Sequence, residues 1–138
     1  MNFQIMNIVL YGKNGERELI KFNLGDLNII TGLSGTGKTA LLEIIDYCLC
    51  SDSCNIPGGI MRRSLEWVGL RLKTKNGEIF VARKMPTPGF TTSLRVYYDY
   101  SKNIIIPKNS ELYQNENVES LKILLSERLG IGENLHEP

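Results

Sequence analysis

The feature that most constrains this chain is a glycine-rich octapeptide at residues 32–39, Gly-Leu-Ser-Gly-Thr-Gly-Lys-Thr. It fits the pattern G-x-x-x-x-G-K-[ST] with every fixed position filled. A short apolar run, 27–30, precedes it, and a longer apolar run starts at Ala40. These flanks predict a buried strand, a phosphate-binding loop and a helix, in that order. The alternative is a plain glycine-rich turn, which the additional Gly35 disfavours.

Glycines let the loop backbone take conformations that a Cβ atom forbids, so that successive N–H groups turn inward around a phosphate. The helix, which we expect to begin near Lys38, adds unpaired N–H groups and the positive end of its dipole. Lys38, the residue to which we assign a catalytic role, reaches the β- and γ-phosphates, and the Thr39 hydroxyl suits a Mg²⁺ ligand. The residues expected to contact the nucleotide are Gly32, Leu33, Ser34, Gly35, Thr36, Gly37, Lys38, Thr39 and Ala40.

The composition is ordinary for one soluble globular domain, with 138 residues, 42% hydrophobic and 22% charged. A formal charge of +1 gives no overall field that would attract nucleic acid or an anionic membrane. The sequence has no apolar run long enough to span a membrane, and its N-terminus lacks the basic and apolar regions of a secretory signal. We therefore expect a cytoplasmic protein with no membrane partner.

Three cysteines lie close together at Cys48, Cys50 and Cys54. An odd number of neighbouring cysteines suits reduced thiols better than a disulfide framework. A zinc site with His136 as a fourth ligand is the alternative, although the spacing matches no common zinc module.

Alternating apolar residues predict an antiparallel hairpin before the loop, with a turn at Asn14-Gly15. After the loop helix, predicted over 38–49, a polar and glycine-rich stretch leads to a β-rich part at 65–99. Its alternation indicates an antiparallel sheet and not a βαβ repeat. The predicted strands are 3–10, 18–22, 27–30, 67–73, 78–84 and 92–98.

A second helix is predicted over 118–129, because Asn117 is suited to cap its start and Gly130 to end it. An apolar stripe of Val118, Leu121 and Leu125 would face the core. Residues 131–138 are typical of an exposed tail. The predicted organisation is therefore one domain over 1–130, followed by the tail.

The β-rich part carries several aromatic and basic residues, which permits two interpretations. They could form a platform for nucleic acid. The less specific interpretation, which we prefer, is a solvated sheet face. The residues concerned are Trp67, Arg71, Lys73, Arg83, Lys84, Arg95 and Tyr97.

A hairpin, the loop motif and an apolar helix, all near the initiator methionine, resemble the N-terminal ATPase lobe of the SMC, RecF and SbcC group of ABC-type ATPases. The chain is also similar to an uncharacterised bacterial family of SbcC-like ATPases, some of which accompany phage-defence gene clusters. The runs that carry this second resemblance are Ile45-Asp-Tyr-Cys-Leu-Cys-Ser, Cys54-Asn-Ile-Pro-Gly-Gly, Trp67-Val-Gly-Leu and Phe80-Val-Ala-Arg-Lys.

The resemblance implies an α/β P-loop NTPase fold: a partial ABC-type nucleotide-binding lobe with an N-terminal β-hairpin and an antiparallel β-subdomain. It implies ATP and Mg²⁺ as cofactors, a homodimer formed through nucleotide, and DNA contacted through the full-length protein. In the SMC group an arginine beyond the loop helix reaches the nucleotide phosphates, and by position that role falls to Arg62 or Arg63. The alternative is a pair of solvated arginines.

The chain departs from such ATPases because it shows no signature loop, no apolar strand ending in Asp-Glu and no switch histidine beyond the lone His136. Those groups position the attacking water and enclose the γ-phosphate. We therefore expect an incomplete ATP-binding lobe that hydrolyses ATP weakly or not at all by itself, with a full-length relative that acts in DNA repair, other DNA transactions or phage defence. A small P-loop kinase and a non-catalytic interaction module that retains the loop stay open as alternatives.

Overall fold

The computed structural model describes residues 3–21, 35–52, 54 and 63–129, and for residues 35–40 and 129 it describes the backbone alone. The predicted strand at 27–30 and the tail at 131–138 lie outside the described residues. The helices and strands are β1 Phe3–Gly12, β2 Arg17–Lys21, α1 Gly35–Cys48, β3 Leu65–Thr74, β4 Glu78–Lys84, β5 Arg95–Ser101, a short 3₁₀ helix Asn109–Glu111, β6 Glu116–Asn117 and α2 Val118–Leu129.

The described strands form one antiparallel sheet with the order β2-β1-β3-β4-β5-β6. β1 pairs with β2 on one side and with β3 on the other, so that Tyr11 lies opposite both Arg17 and Trp67. The sequence pattern predicted a hairpin and a β-subdomain as two pieces, and the structure joins them. The alternation of apolar and polar residues shows which residues of a strand share a face, but it does not show which strands pair with it. The pairing of β1 with β3 could therefore not be predicted from the pattern.

The predicted hairpin turn at Asn14-Gly15 is confirmed, and Gly15 takes the positive φ of 90° that favours glycine. One strand is displaced from its prediction, because β5 begins at Arg95 and not at residue 92. The physical reason is that Thr92 Oγ1 and the Ser93 carbonyl both accept hydrogen bonds from the Arg83 side chain. These two residues therefore bend over β4 instead of extending along it.

Helix α1 begins at Gly35, three residues before the predicted start at residue 38, and ends at Cys48. Its end is set by Cys50, whose φ of 78° is left-handed. The Ser51 N–H reaches back to the Asp46 carbonyl at 3.0 Å, and the Cys50 N–H reaches the Tyr47 carbonyl at 3.3 Å. These two bonds form a Schellman motif, which satisfies carbonyls that the end of a helix leaves unpaired.

One face of the sheet packs against both helices. The predicted helix Val118–Leu129 is confirmed as α2, and its stripe of Val118, Leu121 and Leu125 is buried. The predicted cap is confirmed as well, since Asn117 Oδ1 accepts a hydrogen bond of 2.8 Å from the Ser120 N–H. The other buried members of this core are Ile8, Leu41, Ile44, Tyr47, Cys48, Cys50, Cys54, Leu65, Val68, Leu70, Leu72, Ile79, Val81, Met85 and Val96.

The opposite face of the sheet is covered by residues 102–115, which we call the strap. The strap contributes Ile104, Ile106 and Leu112 to a second apolar cluster with Val9, Tyr11, Trp67, Phe80, Ala82 and Tyr97. The preferred interpretation of a solvated sheet face is therefore wrong for Trp67, which is 5% exposed. It is also wrong for Arg83, which lies on the helix-covered face and is fully buried beside the end of α1. Trp67 is equally unavailable as a stacking platform for nucleic acid.

Glu78 fixes the start of the strap to the sheet. Its Oε1 atom accepts hydrogen bonds from Arg71 Nη2 at 2.8 Å, from Arg71 Nε at 3.1 Å and from the Ile104 N–H at 2.8 Å. Burial by itself raises the pKa of Glu78, but the Ile104 N–H and the Arg71 guanidinium outweigh it and hold the pKa below its ordinary value.

We expect Glu78 to make the stability of the protein depend on acid pH. Because its pKa is lower in the folded state, it stabilises the fold above the unfolded pKa of about 4.3, and this contribution is lost as pH falls through the folded pKa. Glu78→Gln should cost about 1–2 kcal/mol at pH 7 and reduce the loss on acidification. Urea unfolding between pH 7 and pH 3 measures both effects.

The matched control is Glu66→Gln, since the Glu66 side chain is 39% exposed and its Oε1 atom lies 3.8 Å from Lys84 Nζ. An exposed ion pair of this kind contributes little to stability. Equal pH profiles for the two variants would contradict the role given to Glu78.

Candidate nucleotide-binding site

The start of α1 carries the predicted loop. Residues 35–39 have helical backbone, so the first turn of α1 coincides with the Gly-Thr-Gly-Lys-Thr end of the motif. The first four N–H groups of a helix have no partner within it, and they present partial positive charge to an anion. Gly32, Leu33 and Ser34 lie outside the described residues, as do the side chains of Thr36, Lys38, Thr39 and Ala40. Their contacts with nucleotide therefore stay predictions.

The other end of α1 is fixed by a buried arginine on β4. Arg83 Nη1 donates to the Tyr47 carbonyl at 2.8 Å and to the Ser51 carbonyl at 2.5 Å. Its guanidinium carbon also lies 3.9 Å from the centre of the Tyr47 ring. A cation at this position complements the negative end of the helix dipole. The sheet therefore holds the helix that carries the loop motif.

Tyr47 adds a second connection between α1 and the loop after β4. Its hydroxyl donates to the Lys84 carbonyl at 2.7 Å and accepts from the Ser93 N–H at 3.1 Å. Burial raises the pKa of Tyr47 to about 12, against the opposing effect of Arg83, so the hydroxyl remains a donor at neutral pH. Arg83 and Tyr47 together anchor α1, because their side chains form hydrogen bonds with backbone groups.

The cysteines lie next to this anchor and are buried free thiols. Burial raises the pKa of Cys50 to about 11 and raises that of Cys48 further, against the lowering effect of Arg83. Within the described residues, no group of three His, Cys, Asp or Glu side chains could hold a metal ion. His136, the fourth ligand of the zinc interpretation, lies outside them.

Arg63 is exposed and lies two residues before β3, whereas Arg62 is outside the described residues. Arg63 lines a cavity of about 590 Å³ at the end of the β1–β2 hairpin, which we call the hairpin cavity. The Lys13 N–H donates to the Ser64 carbonyl at 2.8 Å, which holds the hairpin turn beside Arg63. The residues that line the cavity are Leu10, Gly12, Lys13, Asn14, Glu16, Arg17, Glu18, Arg63, Ser64 and Leu65.

Sequence reasoning missed Lys13 and Arg17 as neighbours of Arg63. About fifty residues separate them in the chain, and the pairing of Gly12 with Leu65 brings them together. The only signal in the sequence was two basic residues on either side of the Asn14-Gly15 turn, which by itself indicates a solvated hairpin. The cavity thus combines three cations with the carboxylates of Glu16 and Glu18.

A strand–loop–helix motif with G-x-x-x-x-G-K-[ST] defines the class of P-loop nucleotide-binding domains. A family model described as an AAA domain matches residues 2–131. The match covers most of the chain, so the chain belongs to this family of P-loop ATPase domains, which is found in SMC-like and SbcC-like proteins. Searches among curated proteins and among solved structures give no match.

Membership of the family supports a nucleotide-binding function of the ATPase type, and AAA ATPase domains generally bind ATP and Mg²⁺. In the described ranges, no helix is long and apolar enough to cross a membrane. The sequence and the family therefore agree on the class of ligand.

Proposed function

We propose that this chain is an ATP-binding lobe of an SMC-like or SbcC-like ATPase, and that it holds ATP with Mg²⁺ in the loop at residues 32–39. The observation that carries the proposal is the complete motif at the start of α1 within an AAA domain. The backbone N–H groups from Gly32 to Ala40 bind phosphate oxygens. Lys38 neutralises the β- and γ-phosphates, and Thr39 ligates Mg²⁺.

We further propose that Arg63 extends the site toward the nucleotide, with Lys13 beside it. Arg63 is exposed and so pays little desolvation to bind an anion, and its fork of N–H groups matches phosphate oxygens. Arg62 is the alternative donor. The hydrogen bond from the Lys13 N–H to the Ser64 carbonyl holds the hairpin turn beside Arg63. The Lys13 ammonium therefore adds to the positive potential around Arg63.

By itself the chain is proposed to bind ATP and to hydrolyse it weakly or not at all, because this sequence shows no signature loop and no acidic strand end to position water. A homodimer formed through nucleotide, and a role of the full-length protein in DNA transactions or phage defence, follow from the resemblance to SbcC-like ATPases. A small P-loop kinase and an interaction module that retains the loop are the competing functions.

A titration with fluorescent ATP, with and without Mg²⁺, tests the proposal. We expect saturable binding that strengthens with Mg²⁺, together with slow release of inorganic phosphate under the same conditions. Absence of binding at millimolar ATP would refute the proposal and leave the interaction module. Transfer of the γ-phosphate to a small-molecule acceptor would favour the kinase, and native mass measurement with ATP reports whether a dimer forms.

A further inference from the structure

We infer that Arg17 couples two events: the binding of a polyphosphate anion in the hairpin cavity, and the loosening of the middle of the strap from the sheet. The inference rests on the proposed function, in which Arg63, another residue of this cavity, reaches the nucleotide phosphates. Arg17 belongs to both structures: it lines the hairpin cavity, and its Nη1 atom donates to the Ile106 carbonyl at 2.6 Å and to the Pro107 carbonyl at 2.9 Å.

The two ends of the strap form hydrogen bonds with the strands of the sheet. At its start, the Ile104 N–H is bound by Glu78. At its end, Asn115 exchanges hydrogen bonds with the Tyr98 backbone at 2.8 and 2.9 Å, and its own N–H donates to the Val96 carbonyl at 3.0 Å. Both ends are therefore tied to the sheet, and residues 105–111, which include the short 3₁₀ helix, connect these two fixed points.

The middle of the strap depends on side chains of the hairpin. Besides Arg17, the Tyr11 hydroxyl donates to the Pro107 carbonyl at 2.7 Å, and Asn109 Nδ2 donates to the Gly12 carbonyl at 2.9 Å. The Asn109 Oδ1 atom is buried and has no hydrogen-bond partner in the described part of the chain. A buried acceptor without a partner destabilises the conformation that contains it. The position of the strap seen here is therefore less stable than one in which Asn109 Oδ1 accepts a hydrogen bond.

Arg17 has a stronger alternative partner than the strap. A phosphate oxygen forms a charge-assisted hydrogen bond with a guanidinium, and such a bond exceeds one to a neutral carbonyl. Arg17 is exposed, and a second cavity of about 390 Å³ lies between it, Lys108 and Ser110, so its side chain has room to turn. When Arg17 turns to an anion in the hairpin cavity, the Ile106 and Pro107 carbonyls lose their charged donor and the middle of the strap loosens.

The chain carries its own reporter of this change. Trp67 is the one tryptophan in the sequence, and it is 5% exposed in the cluster that the strap covers. Loosening of residues 105–111 admits small quenchers to that cluster and speeds amide exchange in the strap. Neither effect is expected from nucleotide binding at a site that leaves the strap in place.

The experiment measures acrylamide quenching of Trp67 and hydrogen exchange of residues 104–112, for wild type, Arg17→Gln and the control Lys21→Gln. Lys21 is an exposed cation on the same strand and lines neither cavity. The probes are Mg²⁺-ATP and inorganic tripolyphosphate. The second probe shows whether the phosphate chain alone is sufficient.

In wild type and Lys21→Gln, saturating Mg²⁺-ATP should speed exchange in the strap by about tenfold or more, as expected when the charge-assisted hydrogen bonds from Arg17 to the Ile106 and Pro107 carbonyls are lost. Arg17→Gln should show fast exchange and strong quenching without any ligand and little further change with it. The inference is overturned if nucleotide binds without altering Trp67 or the strap, or if Arg17→Gln matches Lys21→Gln in the absence of ligand. Absence of binding in the fluorescent-ATP titration overturns the proposed function instead, so the two failures are distinguishable.

Discussion

Replacing Arg83 with methionine is expected to lower the free energy of unfolding by about 3–5 kcal/mol, the cost typical of removing one partner from a buried charged network. Arg83 is fully buried, and its guanidinium binds the Tyr47, Ser51 and Ser93 carbonyls and Thr92 Oγ1. Methionine fills a similar volume but donates no hydrogen bond to any of these four acceptors. Urea unfolding at pH 7 measures the loss.

Arg95→Met is the matched control, because Arg95 is exposed on the adjacent strand β5. Its effect should stay within about 0.5 kcal/mol, as is usual for surface substitutions. Arg83→Lys should fall between the two, since an ammonium keeps the charge at the end of α1 but cannot span acceptors that lie in different directions. Equal losses for Arg83→Met and Arg95→Met would show that the anchor at the end of α1 contributes nothing measurable.

The sequence predicted the parts of the fold that depend on local chemistry. The bounds of α2 follow from an apolar stripe and from Asn117, whose side chain caps the helix as expected. The hairpin follows from Asn14-Gly15, where a positive φ is needed. In each case, residues within a few positions of one another determine the structure, so one sequence carries enough information.

The strap and the burial of Arg83 could not be predicted, because both depend on what covers a strand. Alternation places Arg83 on one face of β4, but it does not reveal that α1 ends above it. Ile104 and Ile106 lie in a polar stretch without helical or strand periodicity, so their contact with Phe80 and Tyr11 left no pattern. Only tertiary contacts between distant segments specify these features.

The candidate site divides in the same way. Its phosphate loop is a contiguous motif that the sequence alone shows, and the contacts of that loop stay a prediction. The family match supports the class of ligand. Arg63 was predicted through the resemblance, whereas Lys13 and Arg17 join it through the pairing of β1 with β3. Contacts that depend on the register between two strands cannot be found from a sequence motif, because the residues involved have no fixed spacing in the sequence.

Lys38→Ala is expected to weaken binding of Mg²⁺-ATP by about 100-fold or more, because two hydrogen bonds from an ammonium to phosphate are lost and each contributes about 1.5–3 kcal/mol. The stability of the fold should not change, since the substitution lies in a helix and alanine is the strongest helix former. Equilibrium titration with fluorescent ATP, together with urea unfolding of the same sample, separates lost binding from lost structure.

Thr39→Ala divides the site further, because a hydroxyl that ligates Mg²⁺ contributes only when the metal is present. We expect this variant to bind metal-free ATP as wild type does and to lose the gain in affinity that Mg²⁺ provides.

Lys75→Ala is the matched control for the charge of Lys38, since Lys75 is exposed in the turn between β3 and β4. If Lys38→Ala binds Mg²⁺-ATP as tightly as Lys75→Ala does, the loop at residues 32–39 does not hold the triphosphate, and the nucleotide must bind elsewhere or not at all.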